Sequence, residues 1–313
     1  MWNYIGRRVL ATLPVLLIVA VLVFLMLRLT PGDPAAVIAG DAATTQDVAE
    51  IRGKLGLDRP MVTQFFIWIG RGLQGDFGES FFYKKTVASL IADRIEPTLA
   101  LATLTIVLAT LIAVPLGTLA AYRQGSWIDR IVMGISVIGF SVPVFVIGYV
   151  LIYVFALQLG WFPVQGYQRI ADGFGGFLYR LILPSITLAV VYVALLARMT
   201  RTSVLEVLHE DYVRTARAKG LPKLRVLVFH ALRNAAVPIV TVIGIGIAVL
   251  IGGVVVTESV FNIPGLGRLT VDAVLARDYP TVQAVILLFS FAYVVINLAI
   301  DLMYTVLDPR IRY

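Results

Sequence analysis

The chain has 313 residues, of which 59% are hydrophobic and only 14% charged, against about 25% charged in ordinary soluble domains. With a mean hydropathy of +0.90, this is the composition of an integral membrane protein with room for several spans and one modest segment outside the bilayer. The net charge of +7 is a topology signal rather than a nucleic-acid signature; the absence of cysteine excludes disulfides and thiolate metal sites, and His209 and His230 alone are too few for a transition-metal centre.

A spanning helix needs roughly 20 mostly apolar residues. Six stretches qualify, at about 9–29, 97–121, 131–157, 182–199, 236–256 and 284–306. Their apolar runs are continuous rather than alternating, so the expected fold class is all-α, with six transmembrane helices and no barrel. The organisation expected is an N-terminus and first span (1–29), an extracytoplasmic segment (30–96), a five-span core (97–306) with a cytoplasmic loop at 200–235, and a tail (307–313). Arg7 and Arg8 precede an apolar core running from Val9 to Leu27, and Val37 and Ala39 form a small-residue pattern of the cleavage type. That core exceeds the roughly 7–15 residues of a signal peptide and ends far from the cleavage pattern, so an uncleaved anchor is expected.

Between the first two spans, TPGDP (Thr30–Pro34) forces a sharp exit. A helix is expected at about 45–55, followed by LGLDRP (55–60) and a second helix over Met61–Leu73. This helix sets Val62, Phe65, Phe66, Ile69 and Leu73 on one face, suited to the membrane surface or a neighbouring span. GDFGESF (75–81) reads as a glycine-punctuated loop. The whole segment is either a connector packed on the outer ends of the spans or a docking surface for an external protein.

In the third span, Pro143 removes a backbone hydrogen bond and favours a kink. Between the fourth and fifth spans lies a polar island, 198–235. Thr202 or Ser203 is expected to cap a helix running to about Lys219, Gly220 to supply a left-handed terminus, and Pro222 to prevent continuation. A second helix from Lys223 to about Asn234 returns the chain to the membrane. The elbow so formed projects Arg214, Arg217 and Lys219 beside the small Thr215, Ala216 and Ala218. It is either a surface over which a partner closes or a loop made basic only to fix topology. Gly244, Gly246, Gly252 and Gly253 in the fifth span permit close helix approach. The segment 257–283 turns at Ile263–Gly267 and can form a short helix at 268–277, as an interfacial element or as ordinary packing.

With the N-terminus inside, the inner segments carry a net charge of +9 and the outer ones −1, which places both termini in the cytoplasm. Within the spans only Asp301 is clearly buried in apolar sequence, near the cytoplasmic end; Arg28 and Arg198 sit at span ends where they can snorkel. A secondary transporter with an ionisable midplane relay is thereby disfavoured. A membrane enzyme is disfavoured too, for want of an acid–base or metal constellation, whereas an exporter or channel-forming permease stays open. No GxxxxGK[ST] phosphate loop exists, so any ATP must act on another polypeptide. Ser141, Pro143, Tyr149, Tyr192 and Asn297 stand out in apolar spans as candidates to line a pathway.

DYVRTARAKGL (Asp211–Leu221), followed by HALRNAAVP (His230–Pro238), resembles the signature loop of the permeases of binding-protein-dependent ABC importers. The general pattern there is EAA, three residues, then Gly. Ahead of Gly220 this chain reads Arg214-Thr215-Ala216, so only the second alanine and the glycine match, a departure that resembles the peptide branch. TPGDP, LGLDRP, GDFGESF, SVPVF (141–145), FNIPGLG (261–267), RDYP (277–280) and LDPR (307–310) extend the resemblance along nearly the whole chain, to the B-type permease of oligopeptide, dipeptide, nickel and glutathione importers. The resemblance implies a type I importer permease with no chemistry and no cofactor of its own, in the cytoplasmic membrane of a bacterium or archaeon. It implies a heterodimer with a second permease, two ATPase subunits that hold ATP-Mg, and an extracytoplasmic solute-binding protein, with lipid around it and no nucleic acid. Asp211, Tyr212, Arg214, Thr215, Ala216, Arg217, Lys219, Gly220 and Leu221 would form the coupling helix and its cap, within an elbow at 211–225. Peptides are the cargo implied first, with nickel chelates, glutathione or another small solute as alternatives.

Overall fold

The computed structural model describes residues 2–29, 34–39, 44–54, 56–80 and 82–307. Most of TPGDP, Leu55, Phe81 and the tail from Asp308 on lie outside the described residues, as do the side-chain surroundings of Gly252 and Gly253. The helices are α1 (Trp2–Leu29), α2 (Pro34–Ala39), α3 (Thr45–Lys54), α4 (Met61–Leu73), α5 (Val87–Tyr122), α6 (Trp127–Ser141) and α7 (Val144–Leu151), which continues as a π-helical stretch, Ile152–Gln158. They continue as α8 (Phe174–Leu208), α9 (Asp211–Ala218), α10 (Lys223–Arg225), with its own π-helical extension Val226–Leu232, then α11 (Ala236–Val260), α12 (Leu266–Leu275) and α13 (Tyr279–Leu307). Among the described residues, four helices are long and apolar enough to cross a membrane, and six spans result if two bent pairs each count as one. Those pairs bend by 104° between α6 and α7 and by 61° between the α10 segment and α11. The kink expected at Pro143 is therefore a full break, with Val142 extended and Pro143 starting α7. Proline cannot donate the bond that would continue α6.

One unit comprises Met1–Glu96 and Gly265–Val295. Here α4 lies on α1 through an edge-on Phe24–Phe65 contact with 5.2 Å between ring centroids, and through Arg28, whose Nε and Nη2 donate to Gln64 Oε1 at 3.0 and 2.8 Å. The apolar face expected on α4 divides accordingly. Phe65 turns to α1, whereas Val62, Phe66 and Leu73 stay exposed, as suits lipid contact. Thr44 and Asp47 form a reciprocal cap at the start of α3, Thr44 N–H to Asp47 Oδ2 at 2.8 Å and Asp47 N–H to Thr44 Oγ1 at 3.3 Å. The loop expected at GDFGESF is in part a hairpin: Glu79–Ser80 (β1) pairs antiparallel with Lys85–Thr86 (β2), after glycines at φ +81° and +82°. A buried carboxylate fixes it. Asp278 Oδ2, just before α13, accepts from Ser80 Oγ at 2.5 Å and Thr281 Oγ1 at 2.6 Å. Leu90, Leu266, Leu269 and Val285 form the core beneath. The short helix expected at 268–277 is α12, shifted by two residues.

The second unit comprises Pro97–Pro264 and Ile296–Tyr313. Its centre is α8, buried at most positions from Leu181 to Thr200 and packed by α6 and α11. Close approach depends on glycine. A Cβ on Gly246 would overlap the Tyr192 ring, and one on Gly117 would run into the Ala197 carbonyl. The cap expected at Thr202 or Ser203 is not formed. Both lie inside α8, where Thr202 Oγ1 donates to the Arg198 carbonyl at 3.1 Å and Ser203 is buried. A hydroxyl that finds the carbonyl one turn back no longer competes for the helix start. The helix therefore runs on to Leu208, and the break falls at His209 and Glu210.

Candidate functional site

The site grows out of the end of α8. Glu210, extended at φ −69° and ψ 146°, precedes α9 without a side-chain cap, and Asp211 supplies negative charge to the first turn. An eight-residue helix is too short to persist alone, so packing must hold it. Val213 and Ala216, three apart on one face, are 0% and 6% exposed. They join a cluster with Ala120 and Ala121 of α5, Leu208 of α8, and Val226 and Ala231 beyond α10.

The opposite face remains free. Asp211, Tyr212, Arg214, Thr215, Arg217, Ala218 and Lys219 are exposed. Ala216, expected among the outward small residues, instead faces the interior and anchors the helix. Arg214 Nη1 meets Asp211 Oδ1 at 3.3 Å, but both groups are so exposed that the pair adds little stability. The Tyr212 hydroxyl is held above its ordinary pKa, by partial burial first and by the charge of Glu210 second.

The far end of α9 closes in a Schellman motif. Gly220 adopts φ +77°, its N–H donates to the Arg217 carbonyl at 3.0 Å, and the Leu221 N–H donates to the Ala216 carbonyl at 3.4 Å. Leu221 packs on the same cluster as Ala216, completing the apolar contact of that motif. Pro222 then starts α10, as the spacing predicts, and the return helix expected to about Asn234 runs to Leu232.

A clasp beneath the elbow was not foreseen. Asp129, 4% exposed near the start of α6, takes Arg201 of α8 in a two-point pair, Nε to Oδ1 at 2.5 Å and Nη2 to Oδ2 at 2.7 Å. The Gly125 N–H adds a third bond at 3.0 Å. The only sequence signal was a lone acid in an otherwise basic inner segment. A second missed acid is Glu258 of α11, fully buried and accepting from Thr98 Oγ1 at 2.5 Å; it lies just past the expected end of the fifth span.

Of the pathway candidates, Ser141 and Pro143 lie at the break between α6 and α7 and Tyr149 further along α7, all exposed, with Ser141 Oγ donating to the Val137 carbonyl at 2.8 Å. Asn297 is half-buried on α13. Tyr192 is a packing residue: 5% exposed, it faces Gly246, and its hydroxyl donates to the Ile243 carbonyl. Among the described residues, no three His, Asp or Glu side chains come together in a way that would hold a metal ion.

A family model described as "Binding-protein-dependent transport system inner membrane component" matches residues 113–313, and one for the N-terminal part of such membrane components matches 1–102. The chain is 55% identical over 310 residues to a probable peptide ABC transporter permease protein, y4tP, of Sinorhizobium fredii, covering 99% of both chains. It is 47% identical over 313 residues, the full length of both, to the glutathione transport system permease protein GsiC of Escherichia coli K12.

Proposed function

The chain belongs to the family of binding-protein-dependent transport system inner membrane components, and from that premise we propose that α9 is the coupling helix through which partner ATPases drive it. It is a multi-pass permease subunit of an ABC importer, not an enzyme. The observation that carries the proposal is the division of α9 into an anchored face, Val213 and Ala216, and a free face with Tyr212, Arg214, Thr215, Arg217 and Lys219. A helix held on one side by packing and at one end by the Gly220 cap moves as a unit when pushed. Its motion passes to α5 through Ala120 and Ala121, and to α11 through the segment Val226–Leu232.

In this reading the assembly contains a second, related permease, two ATPases that bind ATP-Mg, and an extracytoplasmic solute-binding protein; this chain itself holds no cofactor. Both termini and the elbow lie in the cytoplasm of a bacterium or archaeon. ATP-driven closure brings the two elbows together and opens the cavity outward, and hydrolysis resets it. Residues 30–96 and 257–283 help receive the binding protein. Ser141, Pro143, Tyr149 and Asn297 are the proposed pathway residues. Peptides are the proposed cargo, because y4tP is named for peptides, and glutathione, itself a small peptide, is the cargo named for GsiC.

Mass spectrometry of what copurifies with the tagged chain from its native membrane, in mild detergent, tests the assembly. A second permease with one or two ATPases is expected. A lone chain or a homo-oligomer, under conditions that keep other complexes intact, would overturn the reading. Uptake of labelled dipeptides, longer peptides, glutathione and chelated nickel by the reconstituted assembly then fixes the cargo.

A further inference from the structure

We propose that the concavity where the elbow meets the ends of α5 and α8 is a binding site for the phosphate headgroup of an anionic membrane lipid. An open pocket of ≈ 830 Å³ lies between the end of α5, the end of α8, α9 and α10. Arg123, Arg214, Arg217 and Lys223 line it together with His209, and no acidic residue does. Among the described residues Arg123, Arg217 and Lys223 have no ion-pair partner, and Arg214 has only the exposed Asp211. Four cations converging on one concavity repel each other unless an anion sits among them, and guanidinium groups match phosphate oxygens in two-point geometry.

A second observation says that the anion is a lipid. The pocket stands where the apolar run of α5 stops, at Tyr122 and Arg123, which is headgroup depth for a spanning helix. Leu205, Leu208 and Leu227 add apolar lining to it. Beside it the segment Lys223–Leu232, bent 61° from α11, exposes Leu224, Val228 and Phe229 at 72%, 40% and 63%. Leu224 and Val228 are one turn apart and Phe229 adjoins them, so apolar side chains line up next to the cations. This is the layout of a helix lying in the interface, with acyl chains against one side and headgroups at the other. A free phosphate would satisfy the cations but leave that apolar strip exposed.

Arg214 and Arg217 belong both to the exposed face of α9 given to the ATPases and to this pocket, so the lipid is tested on the chain freed of its partners. The test is native mass spectrometry of the purified full-length chain, offered phosphatidylglycerol, phosphatidylcholine or inorganic phosphate, with Arg217→Gln/Lys223→Gln compared with wild type. Each basic side chain at an anionic surface favours binding by about fivefold, so the double variant should lose roughly 25-fold in phosphatidylglycerol retention. Phosphatidylcholine retention should stay unchanged. Leu224→Ser/Phe229→Ser keeps the cations and should weaken retention of the lipid without altering that of inorganic phosphate. Equal retention of the two lipids, equal phosphatidylglycerol retention by wild type and R217Q/K223Q, or saturation by inorganic phosphate alone would each overturn the proposal.

Discussion

Replacing Gly220 by valine perturbs the elbow without removing a side-chain contact. At φ +77°, an ideal Cβ on residue 220 meets nothing within 4 Å, so the cost lies in the backbone and not in a clash. A left-handed L-residue costs about 1–2 kcal/mol, and a β-branched one sits at the upper end or beyond. Escape from that conformation breaks the bonds from Gly220 and Leu221 to the Arg217 and Ala216 carbonyls, each worth about 0.5–1.5 kcal/mol net. The cost of keeping the cap is therefore comparable to the cost of losing it, and a penalty of about 1–2 kcal/mol changes the ratio of set to unset elbow by a factor of about 5–30. ATP-driven uptake by the reconstituted assembly should fall, by up to that factor, while the amount of chain in the membrane stays unchanged. Gly220→Asn should retain most uptake, because asparagine tolerates the left-handed region. Normal transport by Gly220→Val would refute both the cap argument and the placement of the coupling element.

The remaining predictions probe interior contacts. Arg201→Met strands the buried Asp129 carboxylate and should cost about 3–5 kcal/mol, read as a lowered Tm in detergent; Asp129→Asn/Arg201→Met should cost less than the single change, and a double variant that is worse would show that the two do not act as a pair. Gly246→Ala drives a Cβ into the Tyr192 ring and should cost about 1–3 kcal/mol through overpacking. Tyr192→Val in the same chain should recover part of that loss, whereas an unchanged Tm for Gly246→Ala would mean the helices are not so close. Asp278→Ala removes the acceptor shared by the Ser80 and Thr281 hydroxyls and should cost about 1–3 kcal/mol. Amide exchange over 79–86 should then quicken, and exchange rates equal to wild type would count against the clasp.

What could be read from sequence about this site is what local physics decides. Hydropathy finds the long apolar helices because lipid admits only apolar, internally bonded segments. The bounds of α4 follow from its amphipathic run. The Gly220–Pro222 stop follows from two residues whose φ preferences are intrinsic, and it is reproduced down to the left-handed angle. Where a local rule had two outcomes, only packing chose between them. Thr202 and Ser203 are good cap residues, yet Thr202 bonds back to the Arg198 carbonyl and Ser203 is buried, so that turn of α8 stays helical. Tyr192 is polar enough for a pathway, yet a glycine on α11 makes room for it in the interior. Ala216 is small enough for a partner surface, yet it serves as an anchor. The buried polar contacts were beyond local reading altogether: Asp129–Arg201, Thr98–Glu258 and Ser80–Asp278 join residues 72, 160 and 198 positions apart. The sequence by itself determined where the long apolar helices lie and where the elbow stops, since solvation and backbone preference act residue by residue. Only the tertiary structure decided which face of the elbow is free and which acids are paired, because burial is a property of neighbours that the chain brings together from far along its length.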